Sequence, residues 1–259
     1  MSRILPFETV YNFRDFGDYP TRFGGRINKG QLFRSAHLNG MAGGDVTRFD
    51  ALNISAIIDM RYAPERQKQP NILPNGHKSV TLAYEQGEGQ KRLKVAPHEA
   101  FMEHDLQGPD DARNYMLGSY SRRPLDTGFQ MLVRRSLKHM AMSGDNILVH
   151  CAAGKDRTGT LVAMIQHLLG VDKAAIFEDY MLTMTAIDME PLLEMASKSI
   201  SKRYKRLYNA DMLRPLFGVS EDYLSESFNA MGDVQTYVQD IIGITSTELS
   251  ALKTHYSSS

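Results

Sequence analysis

The segment Ile147-Leu148-Val149-His150-Cys151-Ala152-Ala153-Gly154-Lys155-Asp156-Arg157-Thr158-Gly159-Thr160 gathers a sulfur nucleophile, two cations, a carboxylate and several small residues into one short stretch. An apolar run leads in, a turn of small residues follows, and an apolar pattern at helical spacing leads out. A strand-loop-helix unit of this kind aims backbone N–H groups and a helix N-terminus into one concavity, which suits an oxyanion. Ala152, Ala153 and Gly154 are small enough to let the backbone approach such a ligand, and Gly154 accepts a positive φ without penalty. Cys151 would lie at the floor. The helix dipole, the inward amides, Lys155 and Arg157 all favour a thiolate there, and a thiolate is a strong nucleophile toward phosphorus.

Five residues separate Cys151 from Arg157, so the loop can curl until the guanidinium faces the sulfur. Its planar fork grips two phosphate oxygens, a task an ammonium does less well. Thr158 is placed to hydrogen-bond the sulfur and ease its departure. His150 is expected to organise the loop by hydrogen bonding rather than to donate protons. Lys155 either meets a second substrate phosphate or tunes the loop. A bare Cys-x5-Arg-Thr pattern arises by chance in many proteins; the flanking strand, the internal glycine and the helix after Thr158-Gly159 give it weight here.

The elements that must position this loop are legible in outline. Val10 to Phe16 and Gln31 to Ser35 read as short extended segments, with a turn at Phe23-Gly24-Gly25-Arg26 between them. Asp45 is expected to cap a helix through Leu52. Ser55 to Asp59 reads as a buried strand presenting Asp59 at its C-terminal end, and Lys78 to Ala83 as another strand. Tyr84 to Asp111 is polar and rich in glycine and charge, which predicts a long loop. Phe129, Leu132, Val133, Leu137 and Met140 mark an amphipathic helix ending at Ser143-Gly144. Asn146 to Val149 predicts a strand and Thr158 to Leu169 a helix. From Asp172 onward the pattern is helical, with Ser220 as a cap, Gly243 as a stop and Thr245-x-x-Glu248 as a capping box. Strands alternating with helices and then a helical tail predict an α/β sandwich with a mostly parallel central sheet, in one domain covering residues 1–259.

Composition narrows the function classes. Thirty basic residues balance thirty acidic ones, so net charge points to neither nucleic acid nor membrane, and anion binding must come from a local cluster. No apolar run is long enough to span a bilayer, and Met1 to Val10 lacks a secretory layout. A single cysteine rules out an intrachain disulfide and fits a reducing, cytoplasmic setting. The seven histidines besides His150 (37, 77, 98, 104, 139, 167 and 255) show no metal-ligand spacing, so neither a metal nor another cofactor is expected.

At these residues the sequence resembles the cysteine-dependent protein tyrosine phosphatases, and in His150 to Gly159 most closely their atypical bacterial and fungal branch. Members of that branch are known as tyrosine, triple-specificity and phosphoinositide phosphatases. Asn12-Phe13-Arg14-Asp15-Phe16-Gly17, Leu32-Phe33-Arg34-Ser35, Ile58-Asp59-Met60-Arg61, Asp179 to Thr183, Tyr223-Leu224 and the tail helices carry the resemblance along nearly the whole chain. It implies a phosphatase-like sandwich, metal-free two-step hydrolysis of phosphomonoesters, and a helical lid within 187–214. Arg14-Asp15 and Arg34-Ser35 read as buried structural pairs. Lys202, Arg203, Lys205 and Arg206 form a basic run in the lid, read as a solvated helix face ahead of a site for phosphoinositide head groups.

The leaving oxygen needs an acid within hydrogen-bond reach. Without a tryptophan the chain cannot spell the Trp-Pro-Asp loop of the best-known phosphatases. The resemblance implies Asp156 as the acid, with Asp59 as a supporting or alternative carboxylate; Asp59 otherwise pairs with Arg61. Asp110 or Asp111 stands at a familiar distance upstream of Cys151, but both read more simply as caps of a helix starting near Ala112. The expectation is therefore a phosphocysteine enzyme acting on phosphotyrosine, with phosphoserine, phosphothreonine or a phosphoinositide as further substrates. Two other readings stand against it. A module that binds a phospho-ligand without turnover would need neither nucleophile nor acid. A sulfurtransferase would not place Arg157-Thr158 at this spacing.

Overall fold

The structure, a computed structural model, describes residues 3–87 and 93–258. Short strands β1 (Arg14–Asp15), β2 (Arg26–Ile27) and β3 (Leu32–Ser35) precede helix α1 (Gly44–Ala51). Strand β4 (Ala56–Asp59) leads into α2 (Ala63–Lys68), and β5 (Val80–Ala83) is followed by α3 (Pro97–His104), α4 (Pro109–Arg122) and α5 (Thr127–Ser143). Strand β6 (Ile147–His150) feeds α6 (Asp156–Leu168). Helices α7 (Lys173–Met181), α8 (Thr183–Ala186), α9 (Met189–Tyr204), α10 (Ala210–Phe217), α11 (Glu221–Met231), α12 (Val234–Thr236) and α13 (Ser246–Tyr256) complete the chain with a two-residue β7 (Ser257–Ser258).

The main sheet runs β1-β3-β6-β4-β5. Its inner pairs are parallel and only β1 is antiparallel to its neighbour. The expected α/β sandwich with a mostly parallel sheet is therefore the fold. β6 lies at the centre, completely buried, which is why Ile147 to Val149 is an uninterrupted apolar run. Side chains alternate across the sheet: Phe33, Ile57 and Leu148 pack on one face with Phe13 and Phe49. Leu32, Ala56, Ile58, Ile147 and Val149 pack on the other with α5 and α6.

Helix α5 starts where Asp126 accepts a hydrogen bond from the Phe129 amide at 2.7 Å and stops at Gly144 in the left-handed conformation. Thr245 and Glu248 form the expected capping box, and Gly243 is left-handed at the end of the preceding turn. A third apolar cluster stands apart from the main core and joins α3, the start of α4, α9 and α10 through Phe101, Leu106, Ala112, Leu193, Tyr208 and Leu213.

Two local expectations are corrected. The polar stretch from Tyr84 to Asp111 is not one loop: leaving aside 88–92, which lie outside the described residues, it contains α3 and the first residues of α4. Proline at the first position of each helix, Pro97 and Pro109, starts them despite the polar composition, and Phe101 and Leu106 bury against the third cluster. Asp45 does not cap α1. Its carboxylate accepts hydrogen bonds from the amides of Glu8 and Thr9 and the hydroxyl of Thr9, tying down the N-terminal segment. Asp111, by contrast, does close a cap at the start of α4, accepting from the amides of Gln107 and Gly108 at 3.0 Å each.

Candidate active site

The register of the three central strands sets the site. Ser35, His150 and Asp59 lie side by side at the C-terminal ends of β3, β6 and β4. The residues that follow each strand therefore leave the sheet at one edge, where ligands of open parallel sheets bind. Cys151 emerges there, 2% exposed.

The loop after Cys151 is held from behind by its carbonyls. Ala152 O accepts from the His37 amide at 3.1 Å. The Asn12 side-chain amide donates to Ala153 O at 3.1 Å and Gly154 O at 2.9 Å, and Arg34 donates to Gly154 O at 2.9 Å. Among the described residues, the amides of 152–155 donate to no protein acceptor. With carbonyls turned inward, that amide face suits an oxyanion. Gly154 has φ +66°, and a Cβ there would lie 2.2 Å from the Ser35 carbonyl oxygen, so only glycine lets the loop press against the end of β3.

Arg14 and Arg34 are both buried behind the loop and share one carboxylate, Asp179, at 3.5 and 2.9 Å. Arg14 also donates to the Asn12 side-chain oxygen. All four residues of Arg14-Asp15 and Arg34-Ser35 are buried, as read, though Asp15 does not pair with Arg14 and instead accepts from the amides of Gly17 and Gly30 at 2.7 Å each.

Arg157 is held from the side. Its guanidinium makes two parallel hydrogen bonds to Glu65, at 2.6 and 2.7 Å, donates to Met60 O at 3.1 Å, and lies over the Tyr62 ring. Glu65 in turn accepts from the Tyr62 amide at 2.7 Å, closing the first turn of α2. Burial pushes the Glu65 carboxyl up, and the Arg157 guanidinium more than offsets this and holds it below its ordinary range. Sequence reasoning passed over Glu65. The available signal was a Glu at the third position of a helix with Pro64 at its start, just after Asp59-Met60-Arg61.

His150 is buried beneath Cys151 and its proton can be placed from the network. Asn71 Oδ1 accepts from Arg61 at 2.9 Å, so its NH2 group donates to Asp59 at 3.3 Å and faces His150 Nε2 at 3.1 Å. Nε2 is then an acceptor, and Nδ1–H donates to the Cys151 carbonyl at 3.3 Å. Burial holds His150 below its ordinary pKa, in keeping with a neutral ring. Asp59 is bound by Arg61 through its side chain at 2.9 and 2.7 Å and its amide at 3.0 Å. Burial pushes the Asp59 carboxyl up, but His150 and these bonds bring it down to about 2. The structure thus gives Asp59 to Arg61 and to the support of His150.

Asp156 opens α6 with its side chain 23% exposed. Its Oδ1 accepts from Lys155 at 2.7 Å and from Tyr120 at 2.8 Å, and Tyr120 bonds Tyr180 at 2.7 Å. Burial pushes this carboxyl up, and Lys155, Arg123 and the Tyr120 bond outweigh it, leaving the pKa low. The Lys155 ammonium is buried and also donates to Gly218 O at 3.0 Å, so it serves the protein's own acceptors rather than standing free. The expected bond from Thr158 to the sulfur is not formed: Thr158 is buried one turn into the helix and its hydroxyl has no partner among the described residues.

Of the basic run at the end of α9, Arg203 pairs with Glu99 on α3 at 3.2 Å, and Arg206, just past α9, donates to Leu106 O, just past α3, so half of it fastens these two chain segments together. Among the described residues no group of three or more His, Cys, Asp or Glu could hold a metal ion, and no helix is long and apolar enough to cross a membrane.

Residues 5–258 match the model of a family described as the tyrosine phosphatase family. The triple specificity protein phosphatase PtpB of Mycobacterium tuberculosis is 29% identical over 187 residues, covering 66% of this chain and 66%, just under two thirds, of that protein. A putative tyrosine-protein phosphatase of Cupriavidus necator is 26% identical over 97% of this chain and 88% of its own length. The catalytic core of the PP-IP phosphatase Siw14 of S. cerevisiae covers 67% of this chain and 89% of that one, at 15% identity and a TM-score of 0.30, a likeness too slight to carry fold or function.

Proposed function

We propose that this chain, which belongs to the tyrosine phosphatase family, hydrolyses phosphomonoesters through a phosphocysteine on Cys151. The observation that carries the reading is the loop itself. Its carbonyls are tied back to Asn12 and Arg34, its amides are left open among the described residues, and the Arg157 guanidinium is oriented by the two hydrogen bonds it donates to Glu65.

In the first step the Cys151 sulfur attacks phosphorus while the loop amides and Arg157 hold the equatorial oxygens. The phosphorus–oxygen bond to the leaving group breaks, and that oxygen takes a proton from Asp156. The cations that keep the Asp156 carboxyl low in the free site meet a phosphate dianion in the complex, and its charge pushes the carboxyl back up. In the second step Asp156 takes a proton from water, the water oxygen attacks phosphorus, and the sulfur leaves with inorganic phosphate as product. Thr158, whose hydroxyl has no partner among the described residues, is the group proposed to meet the departing sulfur. His150 holds the Cys151 carbonyl, and Asp59 holds His150 through Asn71. Asp59 is not assigned as the acid, because both of its oxygens are taken by Arg61 and Asn71.

Phosphotyrosine is the proposed substrate class, with phosphoserine, phosphothreonine and phosphoinositides as further candidates. The name of the Mycobacterium relative, a triple specificity protein phosphatase, supports a substrate range wider than one class. We read α9 and α10, which pack with α3 in the third apolar cluster, as the helical cap that the resemblance implies within 187–214. The test is turnover of p-nitrophenyl phosphate in EDTA by wild type and Cys151→Ser, followed by a panel of phosphotyrosine, phosphoserine and phosphoinositide. Turnover that survives chelation and disappears in the variant supports the reading. Tight binding of phosphate esters without turnover by the wild type would instead favour a phospho-ligand binding module.

A further inference from the structure

Lys155 occupies a place from which a cation could serve the substrate, yet its surroundings are those of a strut. It is 3% exposed, and its ammonium spans two elements: Asp156 Oδ1 at 2.7 Å on α6 and Gly218 O at 3.0 Å at the end of α10. α10 belongs to the cap, whose apolar cluster with α3 and α9 is separate from the main core. Lys155 therefore links the cap to the loop.

The carboxylate at the other end is bound asymmetrically. Both Lys155 and Tyr120 donate to Oδ1, and among the described residues nothing donates to Oδ2. A proton on Asp156 thus belongs on Oδ2. The charged and titratable groups facing Asp156 are Lys155, Arg123 beyond α4, Tyr120 on α4, Tyr180 on α7, Tyr223 on α11 and His98 on α3. Among the described residues, Lys155 alone of the cations touches the carboxylate; Arg123 reaches the Asp156 main-chain oxygen, at 3.3 Å.

We propose that Lys155 is a positioning residue and not a substrate ligand: it fastens Gly218, the residue that ends the cap helix α10, to Oδ1 of Asp156, so that seating of that helix end fixes the orientation and protonation of the acid. The proposal rests on the reading of Asp156 as that acid. It predicts no preference of Lys155 for substrates carrying a second phosphate.

The test compares wild type, Lys155→Met and Lys155→Arg on p-nitrophenyl phosphate, a phosphotyrosine peptide and a phosphoinositide bisphosphate. Removing a cation in contact with the carboxylate raises its proton affinity. The limb on which kcat/KM falls with rising pH is therefore expected at higher pH in the Met variant and near its wild-type place in the Arg variant. The loss of kcat/KM in the Met variant is expected to be similar for all three substrates. An unmoved limb, or a loss confined to the bisphosphate, would overturn the proposal. If turnover persists in Cys151→Ser, the phosphocysteine reading itself fails. A carbon-13 NMR titration of the Asp156 carboxyl in wild type and Lys155→Met then still decides: a higher midpoint in the variant supports the contact, and an unchanged one refutes it.

Discussion

Glu65 and Arg157 face each other fork to fork, joined by hydrogen bonds of 2.6 and 2.7 Å, and both are nearly buried. The pair couples two elements that are far apart in sequence, the helix after β4 and the helix after β6. It fixes the plane of a guanidinium that would otherwise have rotamers to explore. In the proposed mechanism, in-line attack by Cys151 requires that plane to be right.

Glu65→Gln keeps the size of the side chain but loses one acceptor and the charge. Charge-assisted hydrogen bonds contribute about 1.5–3 kcal/mol, so kcat/KM on p-nitrophenyl phosphate should fall by roughly ten- to a hundredfold. Most of the effect should lie in kcat, because a misaligned Arg157 still attracts the substrate dianion. Steady-state kinetics decide it, and an unchanged kcat would show that Arg157 orients itself.

Asp156→Asn removes the proposed proton donor while leaving an oxygen for Tyr120. The loss of kcat should grow with the pKa of the leaving group, small for p-nitrophenyl phosphate and large for phenyl phosphate. General acid catalysis contributes about a hundred- to ten-thousandfold where the leaving group needs it. A uniform loss across a leaving-group series would remove Asp156 from this role.

Gly154→Ala puts a methyl group 2.2 Å from the Ser35 oxygen, on a residue at φ +66°. Either the loop lifts off β3 or the backbone strains, at a cost of order 1–3 kcal/mol. Reduced urea stability with loss of phosphate binding is the expected outcome, read by denaturation and by isothermal titration with inorganic phosphate or vanadate. Wild-type binding in the variant would mean that the close approach to Ser35 is dispensable.

Asp59 ties stability to pH. Its carboxyl is held at about 2 in the folded protein, against an ordinary 3.8. A depressed carboxylate contributes stability that is present above the unfolded pKa and is lost as pH falls through the folded one. The contribution is of order 2 kcal/mol. The stability gap between wild type and Asp59→Asn should therefore be full at neutral pH and narrow as pH drops below about 4. Urea midpoints across that window test this, and a constant gap would show that the link from Asp59 to Arg61, Asn71 and His150 does not depend on its charge.

Much of this protein could be read from local patterns, because local patterns are what strands, caps and the phosphate loop obey. The apolar run Ile147 to Val149 had to be a buried strand, and Gly154 had to be where the backbone turns. The position of Cys151 between that strand and α6 followed from the same few residues. The alternation of strands and helices carried the parallel sheet with it.

What the chain order does not carry is which distant side chains converge. Glu65 stands ninety-two residues from Arg157, and nothing local to either marks the other as its partner; only the shared level of Asp59 and His150 in the sheet brings them together. The same holds for Asn71 against His150 and for Gly218 against Lys155. Helix α3 was hidden for a related reason, since its stability comes from burial of Phe101 and Leu106 against α9 and α10 rather than from its own polar sequence. Sequence determined the loop and the place of Cys151 within it, because both depend on neighbours along the chain. Tertiary structure alone decided the partners of each charged group, because those depend on the register of the sheet and the packing of helices far apart in the chain.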